Sequence, residues 1–139
     1  MIGNRSMPKT AVIPVLAYAD AIAAADWICA AFGFEIRLRI ADHRVQLVRG
    51  DGAVIATDGG DGAGGGGHSL LVRVEDADAH HEHAVAAGAR IVSPPTDYPY
   101  GERQYTAEDF GGHRWTFSQS IADVDPADWG GVLVARDGG

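Results

Sequence analysis

Three histidines, His80, His81 and His83, fall within four residues, and His80 with His83 share a helix face at i, i+3. That spacing suits two imidazole metal ligands. No partnering carboxylate constellation accompanies them, however, and the segment is polar, so the expectation is a solvated helix face. His43 falls in a turn. His113 follows Gly111 and Gly112, and with no paired acid to orient it a structural turn contact is expected in place of a general base. Cys29 is the single cysteine. It has no partner for an internal disulfide and no basic neighbour to stabilise a thiolate, so it reads as a small buried apolar residue. Ser-His-Asp hydrolysis lacks its strained Gly-x-Ser-x-Gly turn anywhere in the chain. The run from Gly59 to Gly67 is rich in glycine but precedes an apolar strand. A phosphate cradle would open a helix, so a flexible linker is expected.

These residues hang on a pattern that occurs twice. In the first copy a strand over Ala11 to Ala17 is followed by Asp20 as N-cap, an apolar-faced helix to Phe32, and Gly33 as its left-handed stop. Strands over Phe34 to Ile40, Arg44 to Arg49 and Ala53 to Thr57 complete it, the last two joined at Gly50-Asp51-Gly52. In the second copy Leu70 to Val74 is a strand, Asp76 caps a helix to Ala87, and Gly88 stops it. A short strand over Arg90 to Val92 follows, then a hairpin of Glu102 to Glu108 and His113 to Ser118. Between them, residues 93–101 read as a proline-rich loop with Tyr98 and Tyr100, the kind of interruption that carries ligand contacts. The expected organisation is a loose terminus over 1–10, a first unit over 11–58, a linker over 59–67, a second unit over 68–120 and a tail over 121–139. Trp129 in the tail either covers a cleft or anchors the terminus. A unit of this length cannot bury its apolar face alone, so function is expected between the copies.

The formal charge of −8 argues against nonspecific nucleic-acid or anionic-membrane binding, which needs a basic face. No window approaches a membrane span and no secretory leader is recognisable, so a cytoplasmic protein is expected.

The run Asp109-Phe110-Gly111-Gly112-His113-Arg114-Trp115-Thr116-Phe117 sets an acid and an aromatic directly ahead of Gly-Gly-His-x-Trp-x-Phe. With Tyr100-Gly101-x-Arg103 and the two Asp-to-Gly helix brackets, it resembles the glyoxalase / bleomycin-resistance / extradiol-dioxygenase superfamily, also called vicinal oxygen chelate, over about residues 11–120. The resemblance implies an α+β fold of two βαβββ modules whose curled mixed sheets surround a cleft, with helices on the outer face. It also implies a homodimer with clefts formed between modules.

Enzymes of this superfamily hold a divalent metal through the first and last strands of both modules. By that resemblance the ligand positions here fall on Ile13, Ala56, Ser69 and Thr116. A catalytic site of this kind needs about three imidazole or carboxylate donors, so the chelate site is read as lost, with no metal and no cofactor. His68 sits one residue from the Ser69 position, and a one-residue slip turns a strand side chain to the opposite face. Strand parity adds Val15, Leu71 and Arg73 to the cleft-facing set, while Trp115 and Phe117 point to the helices. Gln46, Tyr98, Tyr100, Arg103 and Tyr105 are expected at the rim, the last two with a dimer contact as their other possible role. The expected function is therefore metal-independent sequestration of an antibiotic-like, aromatic or cationic small molecule, as in bleomycin-resistance proteins. The competing expectation is a glyoxalase- or dioxygenase-like lyase or isomerase that binds Fe, Mn, Ni or Zn through displaced ligands such as His68 or His113.

Overall fold

A computed structural model describes residues 2–61 and 67–134, so residues 62–66, most of the expected linker, and 135–139 of the tail lie outside the described residues. The first module comprises β1 (Val15–Tyr18), α1 (Ala21–Phe32), β2 (Glu35–Ile40), β3 (Arg44–Arg49) and β4 (Gly52–Asp58). The second comprises β5 (Leu70–Arg73), α2 (Ala77–Ala86), β6 (Arg90–Tyr98), β7 (Glu102–Glu108) and β8 (Arg114–Ser120), followed by a short 3-10 turn over Pro126–Trp129. Each module folds into one four-stranded sheet, ordered β1-β4-β3-β2 and β5-β8-β7-β6, with its first strand parallel to its last and the rest antiparallel. The expected pair of βαβββ modules in an α+β fold is what forms.

The helix brackets act as their residue types require. Asp20 accepts from the Ala23 N–H at 3.1 Å and Asp76 from the Ala79 N–H at 3.0 Å, each satisfying a first-turn donor that the helix itself leaves unpaired. Gly33 ends α1 at φ +79°, a conformation an L side chain resists.

Two strands differ from their expected bounds because of proline. β1 begins at Val15 because Pro14 has no N–H to give the ladder, although its carbonyl still accepts from Ile55 at 2.9 Å. In the other direction, the expected loop over 93–101 is strand as far as Tyr98: β6 passes straight through Pro94 and Pro95. It can do so as the edge strand, where missing donors cost no ladder bond on the outer side, and register shifts near Ser93 absorb the misfit.

α1 and α2 pack on each other and each on its own sheet. Their interface is filled by Phe32, whose ring centroid lies 5.1 Å from that of Trp115 and 4.8 Å from that of Phe117, with Ile28, Val45, Leu47 and Tyr105 also buried. Polar bonds then fix one module to the other. The Trp27 indole donates to the Ala87 carbonyl at 2.8 Å, and the Tyr18 hydroxyl donates to Asp109 at 2.6 Å. Asp109 is buried and also accepts from the Trp115 indole and from the Gly111 and His113 backbone N–H groups.

Two histidines of α2 reach this junction: His80 is half-buried there, which corrects the expectation of a solvated face at that position, while His83 stays exposed. His83 donates from Nε2 to the Ala30 carbonyl at 2.7 Å and His80 from Nε2 to the Phe32 carbonyl at 3.0 Å, while His80 Nδ1 accepts from the Tyr105 hydroxyl. The physical reason is that the last carbonyls of α1 have no partner within their own helix. Burial holds the His80 pKa below its ordinary value. His113 donates from Nε2 to the Ala17 carbonyl at 2.9 Å, a structural contact across the modules in place of the one expected within its own turn. Cys29 is half-buried against the core, and burial raises its thiol pKa. Among the described residues no helix is long and apolar enough to cross a membrane.

Candidate functional site

With the inner faces of both sheets committed to the helices, each sheet turns its other face away from the core. Among the described residues no strand of one sheet brings a Cα within 8 Å of a strand of the other. These outward faces hold most of the expected cleft residues.

On the first sheet, Val15, Ile55 and Gln46 lie side by side in the ladder, and Arg37 reaches the same face from a bulge in β2. The Arg37 guanidinium donates to Gln46 Oε1 at 2.7 Å. Ile13 lies in the extended lead-in to β1 and is half-buried. Ala56 is a correction: it pairs with Leu16 and Val45 and is buried with them in the helix-facing core, so Ile55 takes the outward position. A strand period of two makes that a one-residue error with a complete change of face.

On the second sheet, Leu71 pairs with Thr116 and Arg73 with Ser118, while Thr106 and Gln104 lie opposite Thr116 and Ser118. Ser69 is exposed, one residue ahead of β5. Their polar groups form a chain. The Tyr100 hydroxyl donates to Gln104 Oε1 at 3.3 Å, Gln104 Nε2 to Ser118 Oγ at 3.0 Å, and the Ser118 hydroxyl to Glu102 at 2.7 Å. Hydrogen bonds from Ser118 and Ser120 hold the Glu102 carboxyl below its ordinary pKa, so it carries charge at neutral pH. Arg73 donates to Ser120 Oγ at 3.1 Å. Thr106 and Thr116 share a hydroxyl–hydroxyl bond of 2.8 Å.

Tyr105 and Arg103 are placed on the other side of this sheet, so neither is at the rim. Tyr105 pairs with Phe117 and is fully buried, and Arg103 clamps Asp78 of α2 at 3.0 Å and Asp97 of β6 at 2.8 Å. Parity decides this, because both alternate with the outward Gln104. The Tyr98 and Tyr100 rings stack with centroids 5.4 Å apart and planes 12° apart, and Trp129 of the tail meets Tyr100 edge-on at 5.6 Å. Sequence reasoning left out Arg37, Glu102, Gln104 and Thr106. The alternation of Gln104 and Thr106 around Tyr105 was the available signal for two of them; the bulge that aims Arg37 leaves none.

A groove of about 1230 Å³ runs along the free edge of β5, between it and the β3–β4 turn, and reaches Leu71 and Arg73. On the ligand positions that the resemblance implies, with Ile55 in place of the inward Ala56, the outward side chains would be two aliphatic chains, Ile13 and Ile55, and two hydroxyls, Ser69 and Thr116. That donor set does not fit a catalytic divalent ion. Among the described residues no group of three His, Cys, Asp or Glu side chains is placed to hold a metal. His113 and His68 stand 5.8 Å apart by ring centroids, with no third donor of that kind in reach.

The fold defines a two-module α+β protein in which each four-stranded sheet turns one face outward. The chain belongs to the Glyoxalase/Bleomycin resistance protein/Dioxygenase superfamily, whose model matches residues 11–117. Among solved structures it is similar to TioX from Micromonospora sp. ML1, at 36% identity over 79% of this chain and 98% of that one, with a TM-score of 0.68. At the level of fold it is similar to a bleomycin-binding protein from bleomycin-producing Streptomyces verticillus, complexed with copper(II)-bleomycin, at 22% identity over 78% of this chain and 93% of that one, TM-score 0.61. A glyoxalase-related enzyme from Fulvimarina pelagi is similar at 18% identity, covering 80% of this chain and 88% of that one, TM-score 0.66. No curated protein matches it.

Proposed function

We propose that this protein sequesters a small aromatic or cationic molecule without a metal, in a cleft made when the outward sheet faces of two copies meet. The observation that carries the reading is the pairing of a stacked aromatic rim, Tyr98 and Tyr100, with the charged Glu102 on a face whose metal-ligand positions hold no imidazole or carboxylate. Stacking and burial supply affinity for a flat ring, and the carboxylate favours a cationic substituent. The bleomycin-binding neighbour supports a ligand-holding role for this architecture. Two copies are proposed because Val15, 50% exposed, and Leu71, 63% exposed, lie on faces that this chain leaves apart.

Titration of chelator-treated protein with flat aromatic cations, followed by tryptophan and tyrosine fluorescence, tests the binding. Saturable quenching that is unchanged by added Fe, Mn, Ni or Zn supports the reading. Binding or turnover that appears only with metal, and disappears in His68→Ala, would replace it with the enzyme reading. Sedimentation equilibrium tests the dimer.

A further inference from the structure

The two outward faces differ in one respect that their shared topology does not require. On the second sheet the central Ser118 is 1% exposed and is bonded to Gln104 and Glu102 of the neighbouring strand, whereas on the first the central Gln46 and Ile55 are 2% and 3% exposed although no helix covers that side. Residues 5 and 6 of the same chain lie over Gln46. Its Nε2 donates to the Ser6 carbonyl at 2.8 Å, and the Arg37 guanidinium donates to the Arg5 carbonyl at 2.9 Å while its other nitrogen holds Gln46 Oε1. Nearby Pro8 is buried, and Met7 donates back to the Asn4 carbonyl at 3.2 Å, so the segment is folded onto the sheet.

The side chains doing the holding are a guanidinium and an amide, oriented by each other and aimed at two successive carbonyl oxygens. Neither donor recognises the Arg5 or Ser6 side chain. Any molecule presenting two carbonyl acceptors at similar spacing can make the same bonds, and a guanidinium donor makes them charge-assisted. We infer that Arg37 and Gln46 form a carbonyl-recognising subsite, that residues 5 and 6 occupy it when no ligand is bound, and that a ligand with two successive amide or ester carbonyls displaces them. This rests on the sequestration reading and narrows its ligand class: a flat ring for the tyrosine rim, with adjacent carbonyls for Arg37 and Gln46. On release the carbonyls of residues 5 and 6 bond to water and the segment regains its freedom, so the segment lowers the ligand's affinity without abolishing binding.

Arg5 and Lys9 make the displacement measurable in the full chain, because trypsin should cut faster after both once the carbonyls of residues 5 and 6 are released from the sheet. The probes are naphthoylglycinamide, a flat ring with two successive amide carbonyls, and ethylnaphthalene, the same ring without them. The expected result is that naphthoylglycinamide binds roughly tenfold tighter, one charge-assisted bond's worth of discrimination, and accelerates cleavage at Arg5 and Lys9. Arg37→Met should remove the preference and speed cleavage without any probe, and Gln46→Met should do the same should the first variant fold poorly by circular dichroism. Tighter binding with unchanged cleavage, or equal binding of the two probes, overturns the subsite and leaves sequestration standing. If neither probe binds while flat aromatic cations still quench, the subsite falls and sequestration stands; if the cations fail as well, both fall.

Discussion

Replacing Asp109 by asparagine keeps the shape of the side chain and tests whether one buried carboxylate joins the modules. Asp109 accepts four hydrogen bonds: from the Gly111 and His113 N–H groups on Oδ1, and from the Tyr18 hydroxyl and the Trp115 indole on Oδ2. An asparagine can keep the two backbone bonds on its carbonyl oxygen, which puts its NH2 against Tyr18 and Trp115. The tyrosine hydroxyl can rotate and accept, but the indole N–H only donates and is left buried without a partner. That orphan costs about 1–3 kcal/mol, and loss of charge assistance on the other bonds brings the total to about 3–5 kcal/mol. In urea unfolding this is a large shift of midpoint at constant slope, and in thermal unfolding a fall on the order of 10 °C. Tyr18→Phe alone removes one bond to a charged acceptor, about 1.5–3 kcal/mol, and should cost less when combined with Asp109→Asn than in the parent, a coupling of about 1 kcal/mol or more. If Asp109→Asn unfolds within about 0.5 kcal/mol of the parent, the carboxylate is not the junction described.

His80 supplies a pH dependence. Its folded pKa lies below the 6.5 of a free imidazole, chiefly through burial, so the unfolded chain binds more protons there; stability is fully present above pH 6.5 and declines as pH falls below it. Urea midpoints should therefore drop between about pH 7.5 and about pH 5 by more in the parent than in His80→Gln, and equal drops would remove His80 from the account. Gly101→Ala should free the tail, since Gly101 sits at φ +83° and an added Cβ would meet the Ala122 carbonyl oxygen at 2.3 Å. Expected are a loss of at least about 1–2 kcal/mol and faster amide exchange at Ile121 and Ala122, both of which now donate to the Gly101 carbonyl. Tyr100→Ala should weaken aromatic-ligand affinity by up to roughly tenfold, the value of one stacked ring, while affinity unchanged in that variant would move the site away from the rim.

Where the sequence was legible, the signal was local and chemically specific. Asp20, Gly33, Asp76 and Gly88 bracket the helices because caps and left-handed stops need those residue types at fixed offsets, and the order of elements followed from them. Register was harder. The ladder places Val15 beside Ile55, and choosing Ala56 inverted one strand, because Ala53 to Ala56 is apolar on both faces and carries no alternation to read. Tyr105 failed for a related reason: an aromatic between Gln104 and Thr106 suits a rim or a core equally until its partner Phe117 is known. Contacts between modules had no local signature at all. His80 and His83 are ordinary polar positions along their own helix, and only the arrival of the open C-terminal end of α1 turns them into its caps. The same holds for Gln46, which faces away from the core yet is covered, since the cover comes from residues forty positions earlier in the chain. The binding surface is thus set less by the motif that marks the family than by what long-range packing leaves uncovered, which is why the two sheets, built alike, present different chemistry.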